Sequence, residues 1–333
     1  MKRSMIARHL IRLIGIGLFV YILTTIDFTA MINASLSVSA ITILGIAFLI
    51  IPTMVLKGAR WQIISEGLGL RLKTTEATEA LSIAQLANLA TPGSLGDFVR
   101  VPYLKARGNP TDKSTLSIFI DAIISIVVPY SLGGLALLVL LEIDITILGL
   151  FAALIWTGGF ILLYYFMKKT IWTWFFKARV DRLLSSGFRG SFLFTLPSVI
   201  KSVGKRNLLL SLGYSAVAWL TYTLQATVLA WSFGINVNWV FINVALALST
   251  MATAIPVSIQ GLGIREGVFL FLFGLINIDP AIIVAFSLSL MLVNITPISL
   301  GLLSWARDPF DLSPEEDSNN GYSNERIREF ESE

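Results

Sequence analysis

Cysteine is absent from the 333 residues, and histidine occurs once, as His9. No disulfide framework and no thiolate chemistry is open to such a chain. One histidine also excludes, by count, a histidine-based metal cluster or a Ser-His-Asp relay. No metal and no other cofactor is expected. Charge is scarce too: 14% of residues are Asp, Glu, Lys or Arg, where a soluble domain carries about 25%. Apolar residues make up 55%. The composition is that of an all-α polytopic membrane protein. The net charge of +4 does not indicate nucleic acid as a partner, because the basic residues follow the ends of apolar runs and no recognition module is present.

A membrane span needs roughly 20 apolar residues. Six stretches qualify: Leu10–Asp27, Leu36–Leu56, Leu116–Leu141, Ile145–Met167, Leu208–Phe233 and Ile282–Leu303. Pro129 and Pro297 fall inside two of them, as kinking prolines do in membrane helices. The first stretch follows Lys2, Arg3, Arg8 and Arg12. No small-residue cleavage motif closes it and further spans follow, so it reads as a retained helix rather than a signal peptide. Two further apolar pairs are shorter and interrupted: Ala80–Ala90 with Leu95–Leu104, and Val240–Ile255 with Leu262–Ile276. A Pro-Gly-Ser cluster breaks each, which predicts two re-entrant helical hairpins. The membrane domain then covers 1–308, with halves at about 1–141 and 145–305, followed by a disordered cytoplasmic tail at 309–333 that is too polar to bury a core.

Laid out this way, every Lys and Arg except Arg265 falls on one side, with Lys57, Arg60 and Arg100 counted among the loop charges of that side. The opposite loops hold Asp27, Glu142, Asp144 and Asp279. Basic loops face the cytoplasm, which places both termini inside and points to the cell membrane. Ile171–Arg206, with Trp172, Trp174, Phe175 and Phe176 before Lys177, Arg179 and Arg182, reads either as an interfacial helix on anionic lipid or as an ordinary basic loop. His9 reads as a solvated residue beside the membrane.

The two interruptions resemble each other. Pro92, Ser94, Gly96 and Arg100 in the first correspond to Pro256, Ser258, Gly261 and Arg265 in the second, with an acid close by in each, Asp97 and Glu266. Three spans separate them, so the hairpins enter from opposite faces. Paired broken segments in opposed halves are the sequence mark of an inverted-repeat transporter. A broken helix exposes amide groups and the positive end of its dipole. Glycines, Gly263 included, permit close approach of a ligand, and arginines add forks suited to phosphate. An anionic group such as a lipid phosphate is the natural occupant. Asp97 and Glu266 read as counter-ions for the empty site or as proton carriers. Arg100 reads alternatively as a positive charge at a helix end. Asp121 reads as a pathway carboxylate or as a residue near the membrane edge. Gln85, Asn88, Gln225 and Asn294 read as cavity-lining groups or as helix-helix hydrogen-bonding groups.

These motifs resemble the lysylphosphatidylglycerol synthase transmembrane region, the flippase-like UPF0104 membrane proteins. The likeness is carried by Arg60-Trp61, Asn88, Pro92, Gly96 and Arg100, then by Pro256, Ser258, Gly261, Gly263, Glu266 and Gly274, and runs to about Trp305. It implies a protein that moves, or helps to move, a phospholipid or polyprenyl-linked lipid between leaflets. It also implies a lipid-modifying enzyme as a potential partner, or the alternative of a membrane subunit in lipid modification or lipid-linked glycan assembly. Some members are fused to a soluble aminoacyl transferase. No such domain follows here, so aminoacylation by this chain alone is not expected. Two positions depart from the pattern: Asp97 stands in place of the more usual Glu, and Ala122 follows Asp121 where an Arg is often found.

Overall fold

A computed structural model describes residues 15, 17–91, 95–141, 202–253, 261–293 and 295–309. The expected span Ile145–Met167, most of Ile171–Arg206, the tail from residue 310, and His9, Pro92, Ser94, Pro256, Ser258 and Asn294 lie outside them. Every regular element among the described residues is helical. In chain order they are α1 (Gly17–Thr25), α2 (Phe28–Ser37), α3 (Ala40–Gly67), α4 (Thr74–Ala90), a 3₁₀ turn at Leu95–Val99, α5 (Arg100–Lys105), α6 (Thr111–Leu140), α7 (Lys205–Ser232), α8 (Trp239–Thr253), α9 (Ile264–Gly274), α10 (Pro280–Val293) and α11 (Ile295–Arg307).

Three helical stretches among the described residues are long and apolar enough to cross a membrane: α3, α6 and the α10–α11 pair. The α1–α2 pair adds a fourth if one bent span is counted. Helix α7 is as long as α3, but Ser211, Ser215, Thr223, Gln225 and Thr227 thread its buried face. Residues 28–37 were expected to lie outside the spans or to begin the second. They form α2 instead, at 91° to α1. The cause is local: the Asp27 carboxylate accepts the Ala30 N–H at 3.0 Å and starts a new helix there. Each expected break separates two helices, α4 from α5 and α8 from α9.

Small residues set the crossings. A methyl group added at Gly58 would stand 2.2 Å from Thr78 Oγ1, at Gly133 2.1 Å from Ala247 Cβ, and at Gly301 2.1 Å from the Ser82 carbonyl oxygen. Such close approach is how helices associate in lipid, where no hydrophobic force draws them together. Gly301 is the least forgiving, because its neighbours are the backbone of α4 at Ser82 and Ile83. Gly301→Ala is therefore expected to destabilise the α4–α11 contact by about 1–3 kcal/mol, read as a lower unfolding midpoint in detergent.

The helices pair as α3 with α7, α4 with α11, and α6 with α8. Two apolar clusters result. One gathers Trp61, Ile64, Tyr103 and Leu104 with the surrounding faces of α3–α6. The other is built on the aromatic group of Phe233, which caps α7, with Phe269 and Phe273 of α9 and Phe286 of α10. A polar cavity lies between the paired helices.

Candidate functional site

The cavity has a volume of about 470 Å³ and receives side chains from both broken regions. Thr91, Asp97 and Arg100 reach it from the first break, with Gln85 and Asn88 on the preceding α4. Thr250, Thr253 and Gly261 reach it from the second. Helix α3 adds Lys57 and Arg60, α6 adds Asp121, and α7 adds Ser215, Tyr222 and Gln225. This size suits a lipid headgroup or another small ligand.

Its centre is a buried ion triad. Asp121, 2% exposed on α6, receives Arg60 Nε at 2.8 Å and Nη2 at 2.7 Å on Oδ1, and Arg100 Nη1 at 2.8 Å on Oδ2. Arg60 also donates to Ser215 Oγ at 3.2 Å. Arg100, 1% exposed, donates to the Asp97 carbonyl oxygen at 3.1 Å, and its guanidinium lies 4.8 Å from the ring centre of Trp61. Trp61 is held by its own bond to Ser117 Oγ at 3.1 Å. So α3, α5 and α6 are tied together by charge as well as by their apolar packing. Buried charges are tolerated only when paired and hydrogen-bonded in this way.

Lys57 and Arg60 correct the sequence reading. Both were counted as cytoplasmic loop charges, yet both belong to α3 and line the cavity. Arg100 is not a solvated charge at a helix end. Asp121 is a cavity residue held between two arginines. Gln225 does both things considered for it: it lines the cavity and donates to Leu49 O at 2.8 Å and Thr53 Oγ1 at 3.1 Å across the α3–α7 contact.

Gly96 has a positional reason. A methyl group there would lie 2.4 Å from the Asn88 amide nitrogen and 2.5 Å from Asn88 Oδ1, so the turn folds back directly on α4. Asn88 Nδ2 then donates to Asp97 Oδ1 at 3.2 Å.

The second break is arranged differently from expectation. The N-terminus of α9 is not open to a ligand at Gly263, whose N–H donates to Glu266 Oε2 at 2.7 Å. Glu266 is 0% exposed and also receives Arg265 Nη2 at 2.7 Å and the Ser287 hydroxyl at 2.8 Å on Oε1. Arg265 Nε donates to Ser287 Oγ at 2.9 Å. An acid three residues into a helix naturally closes on the cap N–H, and here it also neutralises its neighbour. Gly261 and Gly263, at φ +78° and +83°, supply the left-handed backbone the turn requires. Gly263 packs on Gly15 and Phe19. Arg265 thus turns into an internal network, although it stays within electrostatic reach of Tyr222 on the cavity wall. At the first break, α5 is only six residues long. The positive charge in the cavity comes from Lys57, Arg60 and Arg100 rather than from helix ends.

Broken helices, glycine-set crossings and charges held deep among apolar helices define an integral membrane protein with a polar interior site. The chain belongs to the lysylphosphatidylglycerol synthase TM region family, whose model matches residues 10–301. No curated protein matches the chain. Membership places the chain in a membrane-protein family linked to lipid modification or transport, and makes membrane lipid its associate.

Proposed function

We propose that the chain translocates an anionic lipid, a phospholipid or a polyprenyl-linked lipid, between the leaflets of the cell membrane. The headgroup enters the cavity while the tails remain in the bilayer. The observation that carries this reading is the cavity itself, which joins both breaks and holds Lys57, Arg60 and Arg100 against Asp97 and Asp121. Three cations against two carboxylates leave one formal positive charge among the described residues that line the cavity. The helix pairing supports the inverted repeat. If α3, α4, α5 and α6 are matched in order with α7, α8, α9 and the α10–α11 pair taken as one stretch, the α4–α11 contact exchanges with α8–α6, and the α3–α7 contact maps onto itself. The arginine side chains follow the same match: Arg100 pairs with Asp121 on the next long helix, and Arg265 donates a hydrogen bond to Ser287 on the next. The basic bias of the loops supports cytoplasmic termini.

The test uses the full chain in vesicles with acyl-labelled anionic phospholipid. Lys57 forms no ion pair among the described residues, so Lys57→Gln spares the fold while removing a charge from the cavity. Lipid movement is expected to slow about tenfold, the loss of one charge-assisted contact. Wild-type protein that moves no labelled lipid, or a variant as fast as wild type, rejects the reading.

The family's description names a synthase, and this favours a second reading: a membrane subunit of lipid modification or lipid-linked glycan assembly, working with a transferase. Modified lipid formed by the purified chain, or formed only with an added transferase, would distinguish it from translocation.

A further inference from the structure

Pro129 and Pro297 play no part in the ion networks, yet they stand where the packing divides. One apolar cluster holds α4, α5, the α3 residues from Ile50 onward and α6 from Leu116 to Val128. The other holds α8, α9, α10 and the part of α7 from Trp219 onward. The charge networks respect the division. Arg60, Arg100 and Asp121 stay on the first side, and Arg265, Glu266 and Ser287 on the second. Two long helical stretches pass between the clusters. The crossing lies at Leu132 on α6 and at Val293 at the end of α10, and each of these residues packs against both clusters. Past Leu132, Gly133 of α6 lies against Ala247 of α8, and past Val293, α11 lies on α4. A proline stands beside each crossing, and Pro129 and Pro297 are both buried and both line the cavity. Helices α3 and α7 also pass between the clusters, but they meet each other there through Gln225, and Pro52 of α3 is exposed.

We infer that Pro129 and Pro297 are paired hinges, about which the two clusters rock as rigid bodies and open the cavity to one leaflet and then to the other. This rests on the translocation reading above and supplies its moving parts. Proline has no N–H for the carbonyl four residues back, and its ring crowds that carbonyl. The carbonyls concerned are those of Ser125 and Val293. Beside Pro129, the hydroxyls of Ser125 and Ser131 donate to the carbonyls of Asp121 at 2.7 Å and Val127 at 2.8 Å, a contact that itself bends helices. A turn already short of a bond bends more easily than a cluster comes apart, because parting either cluster opens voids or strands buried charge. In the match of the two halves, α6 corresponds to the α10–α11 stretch, so the two prolines exchange. Pro129 follows Asp121 by about two turns, and Pro297 follows Ser287 by about three. Matched hinges in opposed halves are what two alternating openings require.

The chain has no cysteine, so Leu89→Cys on α4 and Phe271→Cys on α9, both at exposed positions, place one nitroxide label on each body. The labelled full chain is studied in nanodiscs of anionic phospholipid, with the label separation read by pulsed electron spin resonance. With both prolines in place, two separations are expected. Pro129→Ala combined with Pro297→Ala returns both N–H groups. It should merge the separations into one and slow the movement of acyl-labelled lipid in vesicles about tenfold. Glycine supplies the same N–H groups but keeps the backbone soft. Pro129→Gly with Pro297→Gly should therefore move lipid faster than the alanine pair. A packing role predicts the reverse order, because glycine leaves the larger void. That reverse order overturns the inference, as do separations that the alanine pair leaves unchanged. A single separation with both prolines in place also overturns it, and decides even if no proline variant folds. Two separations merged by the alanine pair, in a protein that moves no lipid, would uphold the hinges and reject translocation. An alanine pair that moves lipid at the wild-type rate would overturn the hinges and leave translocation standing.

Discussion

Replacing Asp121 with alanine should lower the unfolding midpoint of the detergent-solubilised protein by on the order of 10 °C. The substitution removes the one carboxylate that Arg60 and Arg100 share. As a carboxylate partner Arg100 keeps only Asp97, at 3.8 Å, beside its bond to the Asp97 carbonyl and its contact with Trp61, and Arg60 keeps only the Ser215 hydroxyl. The two guanidinium groups, 5% and 1% exposed, are then left facing each other. Removing one partner of a buried pair costs about 3–5 kcal/mol, because the stranded charge cannot regain water. The size of the loss does not mean that the triad adds that much net stability, since the desolvation of all three groups is already part of the folded state. A second substitution separates these ideas. Arg60→Met, added to Asp121→Ala, removes one stranded charge and should recover a good part of the midpoint. An Asp121→Ala protein with the wild-type midpoint would show that the two arginines do not depend on this carboxylate.

The triad also shows which features were legible beforehand. The helical class, the membrane location and the two breaks follow from long apolar runs cut by Pro, Gly and Ser. Gly96, Gly261 and Gly263 were read as places where a ligand comes close to the backbone; the structure sets neighbouring atoms of the chain against each, and gives Gly261 and Gly263 a left-handed backbone. Lys57 and Arg60 were misassigned because loop counting treats a basic residue at the end of an apolar run as solvated. Hydropathy closed the span at Leu56, whereas α3 runs on to Gly67. A usable signal was present: Asp121 sits within an apolar run and needs a cation, while Lys57 and Arg60 are three residues apart and share a helix face. The spacing from Gly263 to Glu266 likewise matches an acid closing on a helix cap. It would have shown that the second helix end is occupied by the chain's own carboxylate. The α1–α2 bend was harder to foresee, because residues 28–37 are short and apolar and could extend either adjoining span.

Arg265 and Glu266 give the other large effect, and a double substitution separates two roles for the arginine. Glu266 is fully buried, and its carboxylate is shared among the Gly263 N–H, Arg265 and Ser287. Arg265→Ala leaves that carboxylate with two neutral donors and no counter-ion, a loss of about 3–5 kcal/mol. Transport should fall with it, but only because the break between α8 and α9 loosens. Glu266→Gln removes the stranded charge while keeping an amide oxygen for the Gly263 N–H. Combined with Arg265→Ala it should therefore recover about 1–3 kcal/mol, the coupling typical of groups in one network. Transport should return in the same proportion. If Arg265 instead grips the headgroup itself, the double variant will regain its unfolding midpoint and still move no lipid. The first outcome leaves ligand binding to the cations that line the cavity. The second extends the site to a residue that the resting geometry turns toward Glu266, and would require the guanidinium to exchange that carboxylate for a lipid phosphate during transport.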